Sequence, residues 1–301
     1  MKSNFFFLLI QKVTKLYSKN FQHREDAIQE VSQNLTNFQG DKEEAKLLMR
    51  AASILIAKMI KDNVFSVFNN SLKLLNFLLN EYNKKHAIGK TEILYVIERC
   101  LPPLLQRTGD TNARLRQRAH EFIVEMSVYP DVKPLHAVPT HCTLSMKPHC
   151  APRLALSRVE IVSDLISKLG TKDNGLNVEN VCKFCAYALE HNSGEVRELA
   201  SKIIIQMYKE YSHVVRKYLP QDNEMNRRNK KYRIIYEAFD RIDGKPVQAE
   251  DKVNFLMRNF LKNSIEIFFR RHRNFLKKLK KWKQKHLDAK LKPYEIADLE
   301  M

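Results

Sequence analysis

The side chains best able to do chemistry in this sequence are its thiols and imidazoles. Cys182-Lys183-Phe184-Cys185 has the C-x-x-C spacing of a zinc half-site, and His141-Cys142 with His149-Cys150 could complete four ligands on paper. The competing reading is a helix core. The pair falls in a stretch whose apolar face also carries Val181, Phe184 and Leu189, and a buried free cysteine behaves as a small hydrophobe. Core cysteines are therefore expected, with no metal and no cofactor. An odd total of five cysteines in 301 residues fits a reducing compartment and no disulfides. The sequence has no Gly-rich phosphate loop, H-E-x-x-H, G-x-S-x-G or kinase signature. Carboxylates such as Glu25 and Asp26 read as first-turn acids favoured by a helix dipole. No catalytic residues, and no enzyme, are expected.

The other chemistry on offer is charge. A formal net charge of +18 and a pI near 9.6 predict attraction to a polyanion. Residues 251–292 hold fourteen Lys/Arg against three acids, so the charge concentrates near the C-terminus. There Arg270, Arg271, Arg273, Lys277, Lys278, Lys280 and Lys281 interleave with Phe255, Phe260, Phe268, Phe269, Phe275 and Trp282. Such a stripe suits an acidic protein surface, nucleic acid or an anionic membrane. It could equally be a solvated helix, or one whose apolar stripe folds back to cap a solenoid end.

Seven glycines and ten prolines are too few for the turns of a sandwich or doubly wound sheet, and apolar residues recur at helical spacing, so the class is all-α. A polar turn followed by Arg-x-x-small or apolar recurs at Arg24/Ala27, Arg116/Ala119, Arg158/Ile161 and Arg197/Ala200. Val64-Phe65-Ser66-Val67-Phe68 and Tyr232-Arg233-Ile234-Ile235 fill the series at spacings of roughly 36 to 48 residues, the HEAT/armadillo period. Six antiparallel helix pairs are predicted: 4–16 with 24–36, 41–60 with 64–82, 91–107 with 112–128, a short 134–141 with 154–169, 177–190 with 195–211, and 213–219 with 227–242. Pro102-Pro103 should kink its helix. Arg116, Arg158 and Arg197 are expected to bond a neighbouring repeat's turn and so ladder the repeats together. Asp243-Gly244-Lys245-Pro246 ends the solenoid, giving domains of 1–244 and 245–301, the latter a linker and basic amphipathic tail. Phe5-Phe6-Phe7-Leu8-Leu9-Ile10 is too short an apolar run for a signal peptide and reads as a buried first helix. No run approaches the length of a membrane span, which points to a soluble, cytosolic protein.

The strings Thr108-Gly109-Asp110-Thr111-Asn112-Ala113-Arg114-Leu115-Arg116, Ala188-Leu189-Glu190-His191-Asn192-Ser193-Gly194-Glu195-Val196-Arg197-Glu198 and Asp62-Asn63-Val64-Phe65-Ser66-Val67-Phe68 together resemble the TOG-domain family in the form found in the centrosomal protein of 104 kDa. Arg24-Glu25-Asp26-Ala27, Lys217-Tyr218-Leu219-Pro220 and Ile242-Asp243-Gly244 also fall where that domain would have them, so the likeness covers roughly residues 5 to 244. The resemblance implies a paddle of six HEAT repeats that binds αβ-tubulin along one edge through the turns inside each repeat. Family members act at ciliary tips and centrioles. The first turn of a TOG domain carries a large aromatic, often Trp, and the matching position here is Phe21, with His23 beside it. Phe keeps the apolar anchor and loses the indole N–H. A hydrophobic staple onto the following helix is the alternative role for Phe21. Carried over by position, the other contact candidates are Lys61 and Asn63, Thr111, Asn112 and Arg114, Lys147 and Arg153, and Asn192 and Ser193.

The expected function is tubulin or microtubule binding without catalysis, in the cytoskeleton at the centrosome, basal body or cilium tip. The rival is a HEAT scaffold whose basic tail binds nucleic acid or an anionic membrane, and an adaptor for other ciliary or centriolar proteins is a third reading. No small-molecule substrate is expected.

Overall fold

Five of the described helices start where an Asn or Asp side chain takes one of the first orphan amides. In the computed structural model, which describes residues 14–146 and 150–245, Asn20 caps α1 (Phe21–Thr36) and Asp41 caps α2 (Lys42–Met59) through their side chains. Val64 opens α3 (Phe65–Phe77) with no side-chain cap, and Gly89 precedes α4 (Lys90–Arg107). Asn112 caps α5 (Ala113–Met126). There follow α6 (Ala137–Cys142), α7 (Pro152–Leu169), α8 (Val178–Leu189, capped by Asn177) and α9 (Gly194–Tyr211). The last are α10 (Glu224–Arg228) and α11 (Lys230–Ile242). Among the described residues there is no strand.

The helices stack in two layers, as HEAT repeats do. One layer runs α1, α3, α5, α7, α9, each packed on the next; α2, α4 and α6 form the facing layer. The residue three after each expected arginine is fully buried in the first layer: Ala27, Ala119, Ile161 and Ala200 are each 0% exposed. Three of the four being alanine, the layer can pack backbone close to backbone. The core continues through Phe68, Leu75, Phe122, Phe184 and Met207 to Tyr208 and Phe239, whose rings stack at 3.6 Å. Residues up to Phe239 make one compact unit and Asp240 opens a second.

Local departures from the expected pairs have physical causes. Pro102 and Pro103 sit inside α4, the single helix expected over 91–107. The carbonyls they leave unbonded belong to Glu98 and Arg99, both exposed, so water can satisfy them. The helix begun by α3 continues through a π-turn at Leu78–Tyr82 into Asn83–Lys85. In the fourth repeat His136 takes a left-handed φ of 53° between a 3-10 turn, Lys133–Leu135, and α6. Asn229, extended at ψ 117°, divides the expected 227–242 helix into α10 and α11. Gly244, at φ 73°, follows the end of α11 in a conformation that favours glycine.

Outside the described residues lie the first helix before Thr14, Lys147, His149, and the tail with Trp282. Among the described residues no helix is long and apolar enough to cross a membrane.

Candidate functional site

Four turns that join the two helices of a repeat are built alike. In each, one side chain accepts the amide two residues on: Ser18 Oγ from Asn20 (3.2 Å), Asp62 Oδ1 from Val64 (2.9 Å), Asp110 Oδ1 from Asn112 (2.8 Å) and His191 Nδ1 from Ser193 (3.1 Å). In three of them that residue's carbonyl accepts from an arginine six positions later. Arg24 Nη1 donates to Ser18 O (2.7 Å), Arg116 Nη1 to Asp110 O (2.8 Å) and Arg197 Nη1 to His191 O (2.7 Å). Each also reaches the next carbonyl, of Lys19, Thr111 or Asn192. The second turn has Phe68 where this arginine would stand. Arg107 from the following repeat substitutes, donating to Ile60 O (2.8 Å) and Asp62 O (2.6 Å). In the fourth repeat Arg158 Nη2 donates to Cys142 O (3.1 Å) and Leu144 O (2.6 Å). The expected ladder is thus corrected: Arg116 and Arg197 clamp their own turns, because a guanidinium fork one helical turn past the bend lies under the carbonyls left open there.

Other contacts join successive turns. Arg24 does both jobs, since its Nε and Nη2 hold the Asp62 carboxylate of the second turn at 2.7 and 3.1 Å. Arg107 spans the second and third turns, bonding Asn63 Oδ1 at 3.3 Å and pairing with Asp110. The third turn touches the fourth repeat at Gly109, where a Cβ would stand 2.6 Å from Leu154 Cβ and 3.1 Å from its Cα. His191 joins the fourth and fifth: its Nδ1 is occupied by the Ser193 amide, so Nε2 carries the proton donated to Cys150 O at 2.9 Å. Lys231 then bonds Leu189 O at 3.3 Å and pairs with Glu190 at 2.6 Å, and Tyr232 donates to the same carboxylate. The turns therefore follow one another along a single edge of the solenoid.

This wiring settles the charge of the edge. Asp62, Asp110 and Glu190, the carboxylates set in these turns, are each held by a basic side chain. Burial opposes ionisation of Asp110, yet the Asn112 amide and the Arg107 guanidinium hold its carboxyl below the usual range. The bonds from Lys231 and Tyr232 do the same for Glu190. Lys19, Lys61, Arg114 and Arg153 are exposed cations on these turns, where Asp62 and Asp110 are largely buried in their ion pairs.

The candidates from sequence distribute as follows. Phe21 opens α1 directly after its cap and is 43% exposed, more than a buried staple would be. His23 is exposed, with Nδ1 3.1 Å from Ser18 Oγ. Lys61, Asn63, Thr111, Asn112, Arg114, Arg153 and Asn192 are exposed, and Ser193 is half-buried. Asn112 is partly occupied by capping α5 at the Arg114 amide (3.0 Å). The Arg114 guanidinium lies 3.9 Å from the centre of the Phe65 ring, which fixes its direction across a repeat boundary. Lys147 and the tail set Arg270, Arg271, Arg273, Lys277, Lys278, Lys280 and Lys281 lie outside the described residues. Tyr17 was missed. It is 65% exposed at the first turn, with Lys58 Nζ 4.5 Å from its ring centre. It stands one residue past the expected 4–16 helix, and its type alone does not separate an exposed ring from a buried one.

Cys182 and Cys185 are core residues of α8, and burial pushes the Cys182 thiol up to about 12 and raises Cys185 as well. Cys142 is buried and likewise pushed up to about 12, while Cys150 is half-buried. Among the described residues no cluster of three or more His, Cys, Asp or Glu could hold a metal ion.

A family model described as centrosomal protein CEP104, TOG domain, matches residues 10–203. The chain is 41% identical over 242 residues to the centrosomal protein of 104 kDa of Rattus norvegicus, covering 80% of this chain and 26% of that one. It thus spans about a quarter of the length of the curated relatives it matches. Among solved structures, the TOG domain of human Cep104 is similar at 39% identity and a TM-score of 0.75, covering 77% of this chain and 90% of that chain. A TOG structure concerned with TOG–tubulin binding specificity and microtubule dynamics shares the fold alone, at 16% identity, a TM-score of 0.56 and coverage of 76% and 80%.

Proposed function

We propose, since this chain belongs to the CEP104 TOG-domain family, that it binds αβ-tubulin through the turn edge of its HEAT solenoid and carries out no catalysis of its own. The observation that carries the reading is the wiring of the edge. Asp62, Asp110 and Glu190 are each paired with a structural arginine or lysine, while Phe21, Lys61, Asn63, Thr111, Arg114, Arg153 and Asn192 stay exposed on turns locked to one another. A rigid, cationic edge with an aromatic at one end suits a large acidic protein surface, because little side-chain freedom is lost on binding. Relatives named as centrosomal proteins support a cytoskeletal setting at the centrosome. Action at centriole or cilium tip follows from the same reading. The tail would add salt-sensitive attraction to the partner's acidic exterior.

The test is size-exclusion chromatography of the full chain with unpolymerised αβ-tubulin at moderate salt, beside Phe21→Ala/Lys61→Glu. Co-elution of the wild type, lost in the double variant, is the expected result. Undiminished co-elution of the double variant would remove the turn edge as the tubulin site and shift the function to the tail.

A further inference from the structure

We infer that Tyr17, held by Lys58, forms with Phe21 a two-ring anchor at the first turn, and that the Tyr17 hydroxyl supplies a hydrogen bond to the partner that Phe21 has no polar atom to make. The inference rests on the tubulin reading of the turn edge and names the residues that grip at its N-terminal end.

Tyr17 and Phe21 bracket a bend of three residues, Ser18 to Asn20. Arg24 locks that bend through the carbonyls of Ser18 and Lys19, and the Asn20 side chain caps α1. The next residue inward, Leu16, is 2% exposed, so the chain direction at this point is fixed by the core and Tyr17 must project outward. A large aromatic left 65% exposed has given up burial that core positions one residue away receive. Its ring is nonetheless positioned: Lys58 from α2, one helical turn before Lys61, sets its ammonium 4.5 Å from the ring centre. That contact crosses from the first repeat to the second, beside the Arg24–Asp62 pair. Tyr17 therefore belongs to the same rigid edge as Lys61. A held ring loses little freedom when a partner covers it, and an amphipathic ring with a polar tip is the side chain that most often dominates an interface. Phe21, 43% exposed, offers apolar area only. Between them the two rings provide the area and the polar atom that a single indole would combine.

Tubulin affinity of the full chain should be measured by fluorescence polarisation or analytical ultracentrifugation for wild type, Tyr17→Ala, Tyr17→Phe, Lys58→Gln, Phe21→Ala, Phe21→Ala/Lys61→Glu and the off-edge control Leu47→Ala, each checked by thermal unfolding. Tyr17→Ala should weaken binding by about tenfold, as truncation of an interface anchor does, with unfolding unchanged. Tyr17→Phe should lose a smaller factor, and Lys58→Gln should fall between wild type and Tyr17→Ala. Leu47→Ala, which trims a 63% exposed residue of α2, should bind as wild type. Wild-type binding by Tyr17→Ala, with Phe21→Ala/Lys61→Glu weakened, would overturn the two-ring anchor and leave the turn-edge reading in place. Equal binding by Tyr17→Phe and wild type would overturn the role of the hydroxyl. Wild-type binding by the Phe21→Ala/Lys61→Glu chain itself would instead overturn the turn-edge reading, and the anchor with it.

Discussion

At the scale of single residues, what the edge demands is often the absence of a side chain or the presence of a particular fork. Gly109 illustrates the first. Its backbone needs no special φ, but the third turn presses so close to α7 that an added methyl would meet Leu154 at its Cβ and Cα, which cannot swing aside. We predict that Gly109→Ala lowers stability by about 1–3 kcal/mol, the usual effect of overpacking, measured by urea unfolding. A change under 0.5 kcal/mol would mean that the two repeats separate easily at this point. Arg24, Arg116, Arg158 and Arg197 were legible from their spacing, because a repeated arginine after a polar turn is a strong pattern. Their targets were not, since whether a guanidinium folds back five or six residues or reaches across depends on the bend. Arg107 could not be found that way at all. It lies outside the repeated position and acts only because Phe68 vacates the clamp of the second turn. Phe21, Lys61 and Arg114 were singled out by position within the resemblance and are exposed, whereas Tyr17 came to notice only through its exposure.

At the scale of elements, the turns are held by ionised groups, so their integrity depends on pH in a defined direction. The Asp110 carboxyl is held below its ordinary value of about 3.9 by the Asn112 amide and Arg107. A depressed folded-state value means that its contribution is complete above the unfolded value. It is lost as pH falls from there through the folded value, because the unfolded chain takes up the proton first. Glu190 and Asp222 are depressed in the same sense, Asp222 by Arg227 and then Arg216. Stability should therefore decline as pH drops below about 4. Asp110→Asn, which can still accept from Arg107 and from the Asn112 amide, should show a shallower decline in urea unfolding between about pH 4.5 and 3. Parallel slopes for variant and wild type would show that Asp110 is not one of the linked groups. The positions of the helices were largely readable, because caps such as Asn20, Asp41 and Asn112 and apolar periodicity act locally. The π-turn was not. It depends on how Tyr82, at its end, and Asn83 pack into the core.

At the scale of the whole molecule, the repeat array and the concentration of charge were both plain from composition and period, and the chain is an all-α HEAT solenoid of TOG type. The two proposed modes of attachment, edge and tail, should separate by their response to salt. Raising ionic strength from about 0.05 to 0.3 M shortens the Debye length from roughly 14 to under 6 Å, which weakens diffuse tail attraction more than contact at the edge. We predict that glutamate at Arg270, Arg271 and Arg273 flattens the salt dependence of tubulin binding while leaving its sensitivity to Phe21→Ala intact. Loss of that sensitivity would mean that edge and tail bind as one site.

The π-turn at Leu78–Tyr82 bears on how such an array can vary in length. An α-helix advances about 100° per residue, so one inserted amino acid ordinarily rotates every following side chain off its face. A wider turn takes up the surplus residue within itself and returns the helix to phase. Leu74 and Leu75 before it, Tyr82 at its end and Asn83 directly after it all face the core, with Tyr82 donating to Ala45 O and Asn83 to Asp131. Repeats of unequal length can thus remain in step where such a turn absorbs the difference.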